Sequence, residues 1–209
     1  MSRATIFLFA AAALAFTASP ALAGPNIVQN GGFESGFTDW TYARWGTTGD
    51  ALSGTTSAYT GCVGSTCIRN SDGSYDTTDG AYLYQDITTV PGTSYTLSFD
   101  YRPGPGTPNE LVALFGGTTA IDLVNLANNT ANTYTIYDLV ASGATTRLMF
   151  LGRQDPDYDR LDNISLVAQS VAGAVPEPAT WAMMLLGFGA IGCSMRFRNK
   201  KQPKLASVA

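Results

Sequence analysis

Tyr95-Thr96-Leu97-Ser98-Phe99-Asp100-Tyr101 places an aromatic or aliphatic side chain at every second position, with small polar residues between. In an extended chain successive side chains point to opposite faces, so this stretch predicts a strand with one buried and one wet face. Pro91-Gly92 precedes it and Pro103-Gly104-Pro105-Gly106 follows, and both carry turn chemistry. Outward from this strand, residues 81–87, 111–115, 134–140, 147–151 and 162–168 carry similar signals between clusters of Gly, Asn, Thr and Pro. In the last of these Ile164, Leu166 and Ala168 share one face, with Asn163, Ser165 and Val167 opposite. Leu148-Met149-Phe150-Leu151 is apolar without alternation, as a central strand buried on both faces requires. No segment between residues 26 and 168 sustains the spacing of three and four that marks a helix. The expectation is all-β: a two-sheet antiparallel β-sandwich, with an N-terminal signal helix and a C-terminal transmembrane helix outside it.

The 209 residues divide into segments 1–23, 24–170, 171–178, 179–195 and 196–209 on composition alone. Between residues 24 and 175 there are six arginines, fifteen acids and no lysine. Such a body repels a phosphate backbone, so nucleic acid is not an expected partner. Histidine is absent from the chain. That excludes Ser-His-Asp and Cys-His catalysis and leaves zinc without imidazole ligands.

The two ends look like addresses. After Arg3, an uncharged run from Ala4 to Ala18 leads to Ser19-Pro20 and the small-residue triplet Ala21-Leu22-Ala23. This is the pattern of a signal peptide, cut by signal peptidase before Gly24. At the other end Pro176-Glu177-Pro178 precedes an uncharged stretch, 179–195, which has Trp181 as its third residue and is followed by Arg196-Phe197-Arg198. Those seventeen residues reach roughly 25 Å as a helix, the short limit for a hydrocarbon core of about 30 Å. Basic residues behind the stretch stay cytoplasmic by the positive-inside rule, and Trp181 suits the outer interface. Pro-Glu-Pro, the Trp-led apolar helix and the arginine-rich end together closely resemble the PEP-CTERM sorting signal of Gram-negative bacteria. The resemblance implies an exosortase-type transpeptidase as partner. It also implies a transient anchor in inner-membrane lipid, cleavage near Pro176-Glu177-Pro178, and a final place at the cell surface or outside it. An uncut single-span anchor is the alternative.

Cys62 and Cys67 flank a short Gly- and Ser-containing loop, and export carries them to an oxidising compartment, so a disulfide is expected. Asn30-Gly31-Gly32-Phe33-Glu34 and Gly36-Phe37-Thr38-Asp39-Trp40, with Tyr82 to Ile87 and Leu161 to Leu166, resemble landmarks of carbohydrate-binding modules with the galactose-binding-like jelly-roll fold. In those modules two such carboxylates, here Glu34 and Asp162, help to hold a structural calcium ion, which takes six to eight oxygens. Asp155, Asp157 and Asp159 alternate in a turn and read either as oxygen ligands or as solvated acids. Aromatic rings stack on sugar faces, and Tyr42, Trp45, Tyr59, Tyr75, Tyr84 and Tyr158 are candidates for that role, with Trp45, Tyr84 and Tyr158 foremost. Trp40 is assigned to the core. The favoured function is a non-catalytic binding or matrix protein, engaging a polysaccharide. Two rivals stand beside it: a glycosidase using a carboxylate pair from Glu34, Asp86 and Asp100, and an envelope protein with no ligand.

Overall fold

A computed structural model describes residues 24–127, 129–169 and 178–198. The signal-peptide segment 1–23, Pro176 and Glu177 of the sorting motif, and tail residues 199–209 lie outside the described residues. The chain divides into two units, Leu22–Ser170 and, separately, Met1–Ala21 with Val171–Ala209.

Ten strands are described in the first unit: β1 (Thr41–Tyr42), β2 (Gly46–Thr48), β3 (Ser57–Thr60), β4 (Tyr82–Thr88), β5 (Ser94–Arg102), β6 (Asn109–Phe115), β7 (Thr118–Val124), β8 (Asn132–Val140), β9 (Thr145–Gln154) and β10 (Asp159–Ala168). They form two five-stranded antiparallel sheets, β2-β3-β10-β5-β8 and β1-β4-β9-β6-β7. The expected sandwich is present. The alternating stretch forms β5, whose Tyr95, Leu97, Phe99 and Tyr101 are buried while the residues between them are only partly so. Phe99 meets Phe150 of β9 edge-to-face at 5.3 Å between ring centroids, which ties the two sheets together.

β9 is the central strand of its sheet, and Leu148 to Leu151 are all buried. Phe150 faces the other sheet, whereas Leu151 and its neighbour Val112 face outward and are covered by the segment 61–80. That segment carries a 3-10 turn, Ser65–Cys67, with Cys67 and Ile68 fully buried. Arg69 fastens it to Glu110 and Asp122, and the Tyr75 hydroxyl donates to Asp122 at 3.1 Å. The Cys62–Cys67 disulfide is formed at its base.

Four strands lie outside the predicted set. β1, β2 and β3 hold two to four residues each in Gly- and Thr-rich sequence, too short for periodicity to register. β7 is an edge strand with little burial, joined to β6 through Gly116 and Gly117, both at positive φ. The last strand starts at Asp159 rather than Asp162, and a bulge between Asp162 and Ser165 leaves Asn163 at φ 50°.

The second unit contributes the helix α1 (Pro178–Arg198), over the position of the expected span 179–195 and including Trp181 and Arg196. Met183, Met184, Leu185, Leu186, Phe188 and Ile191 are exposed on it. Among the described residues no helix is long and apolar enough to cross a membrane. Gly187, Gly189 and Gly192 dilute the apolarity of this one.

Asp159, at the head of β10, is fully buried. Its Oδ1 accepts the Gly104 N–H at 3.1 Å, and Oδ2 has no partner among the described residues. Burial pushes its carboxyl up to about 7, against the Gly104 hydrogen bond, the Tyr101 hydroxyl and Arg160, which act to lower it. The unfolded chain releases this proton near pH ~4 and the folded chain near 7, so this group favours folding less and less as pH rises between those values. Above 7 its contribution is constant. Asp159→Asn keeps the acceptor for Gly104 and removes the titration. Urea unfolding of both proteins should show the variant gaining on the wild type by up to about 1.4 kcal/mol per pH unit from ~4 to 7. A difference that does not vary with pH would refute the assignment.

Candidate functional site

Gly46 of β2, Tyr59 of β3, Arg160 of β10 and Arg102 of β5 are successive cross-strand partners, so they form one row across the outer face of the first sheet. Side chains opposite one another in antiparallel strands touch, and the row is built on that contact. Tyr59 lies over Gly46, where a Cβ would stand 2.6 Å from its ring. Tyr158, just before β10, meets Tyr59 edge-to-face at 5.3 Å. Gly61 makes room for it in the same way, a Cβ there falling 2.5 Å from the Tyr158 ring. The two rings open onto a depression of about 430 Å³, which Arg44, Trp45, Cys62 and Val63 also line. The disulfide at Cys62 braces this rim.

The structure brings together two of the three foremost aromatic candidates, and assigns them unequal work. Tyr158 is 50% exposed, with a ring open to solvent. Trp45 is only 6% exposed and its indole packs against Gly152 of β9, so it lines the depression as a largely buried ring. Tyr84 is on the outer face of the other sheet, and the Arg147 guanidinium, held by Asp86, covers its ring at 3.8 Å. Tyr42 stacks on Phe37 at 4.2 Å, and Tyr75 belongs to the 61–80 segment. Trp40 is buried beside Phe33, as expected. Tyr59, a lesser candidate by sequence, is the partner that matters. Only the pairing of β3 with β10 reveals it.

Glu34 and Asp162 act on one loop. Glu34 accepts from the Thr55 and Thr56 N–H groups at 2.9 and 3.3 Å and from the Thr55 hydroxyl. The Thr55 hydroxyl is the main cause holding the Glu34 carboxyl below its ordinary value. Asp162, turned by the β10 bulge, accepts from Leu52 and Ser53 N–H at 3.2 and 2.9 Å. Burial pushes its carboxyl up despite these bonds, and the neighbouring Asp100 adds to the rise. Gly54 sits between the two at φ 62°, with the position of a Cβ 2.0 Å from Glu34 Oε1. Two carboxylates thus converge on residues 52–56, one of them desolvated beside another acid, and carboxylate oxygens are the donors a hard cation takes.

The other acids disperse. Asp155 pairs with Arg153 at 2.8 Å, Asp157 accepts the Tyr158 N–H, and Asp159 turns inward to Gly104. Among the described residues no group of three or more His, Cys, Asp or Glu can hold a metal, so the oxygen-ligand reading of that turn is set aside. Asp86 and Asp100 stand on the outer faces of opposite sheets, Asp86 paired with Arg147 and Asp100 with Thr133 and Asn163. That pair cannot share a substrate across a cleft.

Residues 174–201 match the PEP-CTERM protein-sorting motif. The chain finds no match among curated proteins. Among the solved structures that share its fold are two carbohydrate-binding modules. TmCBM61, solved in complex with β-1,4-galactotriose, is 13% identical, with a TM-score of 0.51 over 69% of this chain and 99% of that one. The tandem CBM22-1–CBM22-2 domain of Paenibacillus barcinonensis Xyn10C is 18% identical, with a TM-score of 0.51 over 78% of this chain and 50% of that one. The chain is thus an exported protein with a C-terminal PEP-CTERM sorting motif behind a β-sandwich that has the fold of carbohydrate-binding modules.

Proposed function

We propose that the body is a non-catalytic glycan-binding module, carried out of the cell and displayed at its surface or released from it. One observation carries the reading: Tyr59 and Tyr158 present a braced aromatic pair at the rim of an open depression, on a sandwich whose chain is addressed for export. Sugar C–H faces pack on such rings, and hydroxyls find the polar groups around them. The delivery proposed is that signal peptidase removes 1–23, that the stretch 179–195 rests in inner-membrane lipid, and that an exosortase-type enzyme cuts near Pro176-Glu177-Pro178. Within the body a calcium ion, held by Glu34, Asp162 and carbonyls of the loop they share, would neutralise the two carboxylates and fix residues 52–56.

Three measurements test these parts. A glycan array and calorimetry with the full chain in mild detergent should find a ligand, and Tyr158→Ala should weaken it about tenfold with an unchanged melting temperature, since half-exposed Tyr158 carries little of the core. A blank array would favour a purely structural envelope protein. Mass spectrometry of the protein from its host should find residues 1–23 and the tail beyond the Pro-Glu-Pro missing; an intact Arg196 to Ala209 would refute the processing. Melting should shift upward with calcium and downward with EGTA, and Glu34→Gln should abolish the difference. Identical melts in both would remove calcium from the account.

A further inference from the structure

The acidic body holds six arginines, and they fall into two sets. Arg69 is matched by Glu110 and Asp122, Arg147 by Asp86 at 2.7 Å, and Arg153 by Asp155 at 2.8 Å. Arg44, Arg102 and Arg160 instead gather about the Tyr59–Tyr158 depression. Arg160 lies 5.6 and 5.8 Å from the centroids of those two rings. It shares Asp50 with Arg102, at 3.3 Å from its own Nη2. Arg44 lines the depression and is exposed; its Nη1 donates to Cys62 Sγ at 3.6 Å, and no carboxylate pairs with it among the described residues. Asp157, beside Tyr158 in sequence, has its carboxylate turned to the Tyr158 N–H. Among the described residues these three guanidinium groups thus have one ion-paired carboxylate, Asp50, between them, in a body where acids otherwise far outnumber bases.

We infer that the depression takes an acidic glycan, a polysaccharide whose sugars carry carboxylates of the uronic-acid kind. The inference rests on the glycan reading above and names its substrate class. A sugar ring stacks on Tyr158 by its C–H face while its carboxylate is held by Arg44, the exposed guanidinium that lines the depression, with the charge of Arg160 beside the rings. A guanidinium fork binds a planar carboxylate through two parallel hydrogen bonds, more strongly than it binds a neutral hydroxyl. A neutral sugar would leave Arg44 unpaired. The cluster also offsets locally the repulsion that the rest of the body exerts on a polyanion.

The test uses the full chain in mild detergent with three polymers: polygalacturonate, its fully methyl-esterified form, and β-1,4-galactan. Esterification removes the charge and keeps the rings, so it should cost about tenfold or more in affinity. Arg44→Gln should weaken polygalacturonate by a similar factor and Arg160→Gln by less, each weakening the ester far less than the acid. Arg44 is exposed, so its variant keeps the test decisive even if the Arg160 variant fails to fold. Equal affinity for acid and ester, or binding only of the neutral polymers, overturns the acidic preference and leaves the glycan reading standing. Binding of no polymer overturns both.

Discussion

One constraint organises the molecule: β5 has a single apolar face, and that face must be covered by a second sheet. Phe99 finds Phe150, Leu97 and Tyr101 take the places beside it, and the remaining strands extend the two sheets so formed. Because the side-chain period is two, burying Tyr95, Leu97, Phe99 and Tyr101 obliges Thr96, Ser98, Asp100 and Arg102 to point outward. Arg102 thereby falls in register with Arg160, Tyr59 and Gly46. The candidate site is thus a by-product of the same alternation that builds the core. A one-residue slip of β10 would bury Arg160 and dismantle the row.

The two outer faces have different fates. On one sheet Val112 and Leu151 are apolar and would be wet, and the 61–80 segment closes over them, pinned by Arg69 and Tyr75. On the other sheet the outward residues of β5, Thr96, Ser98, Asp100 and Arg102, are polar. Surface for a ligand is therefore available where the first sheet begins, beside Tyr59 and Tyr158. The braced loop serves both faces: Ile68 and Cys67 seal one, and Cys62 and Val63 edge the depression on the other.

Much of the fold was legible because its signals are local. Alternation marked β4, β5 and β10, an unbroken apolar run marked β9, and short spacing marked the Cys62–Cys67 bond. The sorting motif was legible for a related reason, since its three parts follow in fixed order within residues 174–201. What stayed hidden depends on long-range pairing. β1 to β3 have too few residues to show a period, and the register of β3 on β10, about 100 positions apart, is what joins Tyr59 to Tyr158 and Arg160. Trp45 and Tyr158 look alike as letters; a close approach to Gly152 buries one and leaves the other wet. Glu34 and Asp162 meet through a loop between them in sequence, which no spacing rule reveals.

The body starts and stops at one pole. Asn26 bridges Val167, and Ile27 donates to the Leu166 carbonyl, so its first and last residues lie side by side. The aromatic pair stands where β10 begins, ten residues earlier, about 30 Å along the strand. Both ends of the body therefore leave from the pole opposite the aromatic pair, so an attachment at either end would leave the two rings uncovered.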